Sequence, residues 1–241
     1  RITTIHAGIT SKGGFMNKFK KTVLATTTAI VLGLGANAHA IISVQSNYNG
    51  GAFQTCADGA ACDVNPLGGA VTAVFVFGGT NITVQTGQGV PQLGTLQFPE
   101  IDLNAAATGA GTFMLLVSQD NLVGPGISPV GFNTAVGGTL ATGGASATFG
   151  YYANADNGLF HTDSLIASNS FGPGVGAFSA NNGGSVAVAN PFSLTIKSTI
   201  VNSGSGTTTF DANVSTVPEP GTMLLMGSGL VGLGLWRKFK K

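Results

Sequence analysis

Between Lys21 and Arg237 the chain carries a single lysine or arginine, Lys197, and that scarcity limits what it can fold into. Exposed helices are built from Lys, Arg, Glu, Gln and Ala. The stretch from 41 to 217 has one lysine, no arginine and one glutamate, Glu100. Glycine fills the gap, with 28 of the chain's 38 glycines in those 177 residues. That is well above the roughly 7% usual for proteins. Such a segment favours strands joined by turns, and its length suits one domain with a substantial core. One cation against eight carboxylates gives it a net charge of −7. Nucleic acid is therefore excluded as a partner, because no basic surface exists to neutralise phosphates.

Hydrophobic periodicity agrees with strands. Phe192, Leu194, Ile196 and Ile200 alternate with Ser193, Thr195, Lys197 and Thr199. Phe210, Ala212 and Val214 alternate with Asp211 and Asn213 after the loop signal at 202–206. The two runs predict a hairpin. Val71 to Phe77 is apolar on both faces and predicts a central strand, followed by a Gly78-Gly79 turn and Ile82 to Gln85. Leu93 to Phe98 and Thr112 to Val117 are further candidates, with weaker glycine-rich strands at Thr139 to Tyr152 and Ser185 to Ala189. No fixed-period repeat is visible, so neither a solenoid nor a collagen-like chain is expected. The expected fold is mainly β: a single β-sandwich or jelly-roll-like domain over 41–217.

The two ends of the chain are different in kind. Met16 opens a basic start, Thr22 to Ala36 is uncharged, and Ala38-His39-Ala40 is a small-x-small cleavage site. That layout over 16–40 is a secretory signal peptide, with cleavage expected after Ala40. Residues 1–15 are expected to lie upstream of the true start. Lys12-Gly13-Gly14 would be encoded by a purine-rich run compatible with a ribosome-binding site. At the other end Gly221 to Trp236 is an uncharged run of 16 residues. As a helix it reaches about 24 Å, a short membrane span. Arg237, Lys238, Lys240 and Lys241 follow at once and hold that end in the cytoplasm. The body is thus expected outside the inner membrane, which matches the signal peptide. Gly227, Gly229, Gly232 and Gly234 in the span also suit close helix approach.

Pro218-Glu219-Pro220 stands just before that run. Both prolines lack an N–H and fix φ, so the segment stays extended and free for capture by a processing enzyme. Val217-Pro218-Glu219-Pro220-Gly221, the apolar run and the terminal basic cluster together resemble the PEP-CTERM sorting signal, over 218–241. The resemblance implies a protein of Gram-negative bacteria and recognition by an exosortase, a membrane-embedded processing enzyme whose substrate this chain would be. It also implies an inner-membrane-anchored precursor, then a cell-surface or matrix setting, with exopolysaccharide as a possible neighbour.

Within the body, chemistry is sparse. Cys56 and Cys62 are the only cysteines and sit in an exported chain, so a disulfide closing the short intervening loop is expected. His161 is near Asp156, Asp163 and Ser164, but no nucleophile-elbow sequence accompanies them. Glu100 and Asp102 alternate on a candidate strand in the manner of a glycosidase pair, though solvated strand-edge carboxylates explain them as well. Asp58, Asp63 and Asn65 offer oxygens to calcium without EF-hand spacing, and turn formation accounts for them too. Tyr48, Tyr151, Tyr152 and Phe160 are candidates for stacking on sugar rings or for core packing. The expectation is a non-enzymatic structural or adhesive domain with no catalytic residue, metal or cofactor. A carbohydrate- or calcium-binding module is the alternative, and a secreted hydrolase using Glu100, Asp102 or His161 the weaker one.

Overall fold

A computed structural model describes residues 40–217 apart from Leu96. Ten strands fill this segment, and no helix occurs among the described residues. In chain order they are β1 (Ile42–Tyr48), β2 (Gln54–Ala57), β3 (Ala70–Phe77), β4 (Thr80–Gln88) and β5 (Glu100–Thr108). There follow β6 (Gly111–Leu122), β7 (Val130–Asn154), β8 (Leu165–Val186), β9 (Phe192–Asn202) and β10 (Thr207–Thr216). All pairings are antiparallel, in the order β2-β1-β6-β9-β7-β10-β5-β4-β3, with β8 beside β7.

This single sheet is folded over on itself. The first half of β7 pairs with β10, from Phe132↔Thr216 to Thr139↔Thr209. Its second half pairs with β9, from Ser146↔Val201 to Asn154↔Ser193. The strand therefore climbs in one layer, crosses near Ala141–Ala145 and descends in the other. The crossing sequence Ala141-Thr142-Gly143-Gly144-Ala145 is small enough to bend tightly. β8 follows β7 over the same bend, where Gly172 has φ +88° and a Cβ would meet the Ala145 carbonyl oxygen at 2.5 Å. β5–β6 and β9–β10 also cross between layers through turns at 109–110 and 203–206. Four chain reversals thus stack as arches at one end, here the upper end. The tight turns at 49–53 and 78–79 share it. The longer connections at 58–69, 89–99, 123–129, 155–164 and 187–191 gather at the lower end, as does the end of β10.

The two layers enclose one core. Ile42, Val44, Phe113, Leu115, Leu194 and Ile196 from one layer are buried, as are Ile82, Ile101, Leu103, Phe132, Phe210 and Val214 from the other. Burial alternates along β5 and β10 with period two, as half-buried strands require. Three buried polar side chains join the layers across this core through four hydrogen bonds. Tyr151 donates its hydroxyl to Ala135 O at 3.1 Å. Asn202 donates to Ala107 O at 3.0 Å, and Gln119 donates to Val90 O while accepting from Val90 N. Phe149, Phe171, Phe178 and Phe210 form an aromatic cluster under the β7–β8 bend.

Both open flanks of the fold are partly covered. At one, the two ends of β8 approach so closely that a Cβ on Gly184 would collide with the Ile166 carbonyl oxygen. At the other, β2 and β3 are edge strands. Val64 N donates to Thr72 O, Asp63 Oδ1 accepts from Thr72 N, and Gln54 reaches Val76 O. These bonds occupy part of the β3 edge and limit pairing with a foreign strand. The Cys56–Cys62 disulfide, with Cα atoms 5.8 Å apart, holds the loop that supplies Asp63.

Three strand expectations are corrected. Val71 to Phe77 is not central: it lies in edge strand β3, and Val74 and Val76 are 57% and 61% exposed. Apolar character on both faces here reflects an uncovered outer face rather than double burial. β9 and β10 are consecutive but form no hairpin, because β7 runs between them. The described residues of Leu93 to Phe98 form no strand; Thr95 and Phe98 bond each other's backbones, beside a single bridge between Gly94 and Pro99. The fold is otherwise mainly β, as expected. The signal peptide up to His39 and the span beyond Val217 lie outside the described residues.

Two substitutions test this architecture. Asp63→Ala removes one acceptor from three backbone N–H groups, those of Gly59, Asn65 and Thr72. It is expected to lower stability by about 2 kcal/mol in urea unfolding and to increase aggregation through the freed β3 edge. Gly184→Ala forces the β8 ends apart and is expected to cost about 1–3 kcal/mol, measured in the same way.

Candidate functional site

The lower end carries most of the residues singled out from sequence. Strand β10 stops at Thr216, whose N–H donates to Pro99 O, and Val217 N donates to Gly131 O at 2.9 Å. The Pro218-Glu219-Pro220 segment begins at the next residue, so the fold leaves no slack before it. Pro218, Glu219, Pro220, Arg237, Lys238, Lys240 and Lys241 lie outside the described residues, as does Ala38. Ala40 is the first described residue, and Ile41 N donates to Asp120 Oδ1 at 3.0 Å.

The 155–164 loop brings Asp156, His161 and Asp163 together on the surface, with donor atoms within 4.8 Å of one another. The loop is held from several sides. Asn154 donates to His161 O and accepts from Asp163 N and Ser164 N. Asn157 and Asn121 pair through their amides, Phe160 N donates to Ser118 Oγ, and Ser193 donates to Gly158 O. His161 Nδ1 is hydrogen-bonded to Asp156 Oδ2. The Gly158 N–H, and next the His161 ring, hold the Asp156 carboxyl below its usual range. An imidazole and two carboxylates are a donor set suited to a transition metal such as zinc. Among the described residues no hydrogen bond joins His161 to Ser164, so the Ser-His-Asp relay is not assembled.

Glu100 and Asp102 do lie on a strand, β5, and point outward from the layer formed with β10 and β4. Their neighbours define the chemistry. Asp102 is opposite Asn213, and Asn104 is opposite Asp211. Asn213 donates to Glu100 Oε1 at 2.6 Å, and Asn104 donates to Asp211 Oδ2 at 3.3 Å. Partial burial, then repulsion from Asp211 and Glu100, raises the Asp102 carboxyl to about 6. Asn213 also borders a shallow open groove of about 560 Å3 lined by Asn133, Ala135, Asn181 and Gly183. Sequence reasoning passed over these amides. Their only signal was asparagine recurring on glycine-rich strands.

The calcium candidates have other work. Asp58 Oδ2 accepts from Gly69 N at 2.6 Å, Asp63 accepts from three backbone N–H groups, and Asn65 Oδ1 accepts from Leu67 N. These bonds shape the loop. Among the aromatics, Tyr48 packs on Phe77 and Phe113 and donates to Ala110 O. Tyr151 is fully buried, and burial pushes its phenol pKa up. Tyr152 faces outward beside Gly150, where Thr148, Ser168, Thr199 and Lys197 complete a recess of about 170 Å3. Phe160 is half-buried in the pinned loop with φ 64°.

Asp102 yields a signed pH prediction. Its folded pKa lies above the unfolded value of 3.8, so the folded protein binds more protons between about pH 4 and 6. Its charge therefore erodes stability as pH rises through that window. Asp102→Asn is expected to stabilise the protein by about 1 kcal/mol at pH 7, after allowance for solvent screening. The gain should vanish below pH 4 in denaturant titrations.

Comparison with curated proteins finds no match. One family model matches, the PEP-CTERM protein-sorting motif, at residues 216–238. The motif implies processing by an exosortase, a membrane enzyme, and export towards the cell surface. Its match starts at the last residue of β10 and takes in Pro218-Glu219-Pro220 and the apolar run. In its C-terminal segment the chain carries the PEP-CTERM protein-sorting motif.

Proposed function

We propose that residues 41–217 are a non-enzymatic structural or adhesive domain, exported behind a cleaved signal peptide and handed to an exosortase at the inner membrane. The domain then resides at the cell surface or in the exopolysaccharide matrix. The observation that carries this reading is the join between fold and motif. The last β-strand residue, Thr216, is also the first residue of the matched sorting motif. An uncut precursor therefore holds its folded body close against the membrane, and cutting is what separates the two. The helix-poor, sparsely charged surface is suited to packing among neutral polymers rather than to steering charged ligands.

A carbohydrate-binding role is the second reading. It is favoured by the Tyr152 recess, which gathers this aromatic residue with Thr148, Ser168, Thr199 and Lys197. A pyranose could stack on the ring while its hydroxyls meet Thr148, Ser168 and Thr199. The hydrolase reading has less support, because Glu100 and Asp102 stand on an open sheet face rather than across a cleft.

Intact-mass measurement of the protein from cells with and without the processing enzyme tests the main reading. Loss of C-terminal mass only when the enzyme is present is expected; identical masses would overturn it. Retention on insoluble polysaccharide that falls several-fold in Tyr152→Ala would favour the second reading.

A further inference from the structure

Ile41 stands between the expected leader and β1, and Asp120 engages both of its backbone groups. Ile41 N donates to Asp120 Oδ1 at 3.0 Å, while Asp120 N donates to Ile41 O at 3.4 Å. Among the described residues the Asp120 carboxylate accepts no other hydrogen bond. A peptide N–H is neutral and offers one hydrogen, so a charged acceptor is more than it needs.

We infer that Asp120 is the receptor for the mature protein's α-ammonium group. The inference rests on the expectation that a signal peptidase cuts after Ala40. Hydrolysis of the Ala40–Ile41 bond consumes one water. Its hydroxyl goes to the Ala40 carbonyl carbon, and a proton goes to the Ile41 nitrogen, releasing a primary amine. That amine is mostly protonated at neutral pH, given a usual pKa of about 7.7–8.0. The nitrogen already facing Asp120 Oδ1 thereby becomes a cation, and a neutral hydrogen bond becomes a charge-assisted ion pair.

Charge in the body makes the pairing selective. Lys197 is the one lysine or arginine from 41 to 217, and it sits mid-strand on β9 opposite Leu116 and Gly150. At the lower end no lysine or arginine from these residues competes for Asp120, and the histidine there, His161, is engaged by Asp156. Removal of the leader therefore adds a new cation to the mature domain at a carboxylate already in place. The pair ties the start of β1 to β6, the strand that carries β1 into the sheet. Processing thus finishes the fold as well as releasing it.

The full chain, purified from exporting cells, tests the proposal with two backgrounds. One is the processed protein, and the other is uncut precursor obtained with Ala38→Leu, which leaves Ala40 and Ile41 unchanged. Asp120→Asn keeps the volume and an acceptor oxygen but removes the charge. It is expected to lower the Tm of processed protein by about 2 °C, the response to slightly under 1 kcal/mol in a domain of this size. In the uncut precursor the shift should be under a quarter of that, and equal shifts would overturn the pairing. A wild-type measurement needs no variant: amine labelling of Ile41 at pH 7.5 should run several-fold slower in folded protein than in the urea-unfolded chain. Equal rates would likewise overturn it. N-terminal sequencing that finds a residue other than Ile41 sinks the cleavage expectation and the pairing with it, and is distinct from both other failures.

Discussion

The doubling-over of β7 governs the architecture. One strand supplies hydrogen bonds to β10 with its first half and to β9 with its second, so the two layers cannot separate without breaking a continuous ladder. β8 copies the bend on the outside, and the β5–β6 and β9–β10 crossings repeat it on the inside. Antiparallel bonds run perpendicular to their strands. Each arch therefore stacks on the next through its own backbone rather than through side chains. That explains how a segment so rich in glycine and so poor in large side chains still keeps a defined register. The core residues fill the space between the legs, and the buried Tyr151, Asn202 and Gln119 bonds set how the two layers face each other.

The arches also sort the molecule into unlike ends. Reversals at the upper end are short and dominated by small residues, whereas the lower end has room for longer loops. The disulfide loop, the Asp156–His161–Asp163 group and the exit of β10 all share that lower end. Carboxylates across the body lack cations to answer them. They are accommodated by backbone N–H groups at Asp58 and Asp63, and by asparagine amides at Glu100 and Asp211. Asp102 is the least well served of these, since its nearest charges are both negative.

How much was legible in the sequence followed from how local each signal was. The address was legible because Pro-Glu-Pro, the apolar run and the basic tail are contiguous. The strands β9 and β10 were legible from alternation, yet their relation was not. A hairpin and an arch have the same loop-flanked sequence, and only the insertion of β7 between them tells the two apart. β8 was largely passed over because its glycines and asparagines leave no hydrophobic alternation to detect. Val74 and Val76 misled in the opposite sense, since apolar residues on an exposed face look like doubly buried ones. The Asp156–His161 bond could be guessed from five residues of separation. The Asn213–Glu100 bond spans 113 residues and could not.

Val217 leaves the body from β10, which lies between β5 and β7 instead of at an edge. Any force transmitted from an anchored C-terminus therefore acts along β10 and loads two antiparallel ladders in shear at once. Bonds perpendicular to the pull share such a load together, whereas an edge strand would peel away one bond at a time. A C-terminal anchor would thus attach where the sheet resists tearing, and a domain whose commonest residue is glycine has its mechanical strength in backbone geometry.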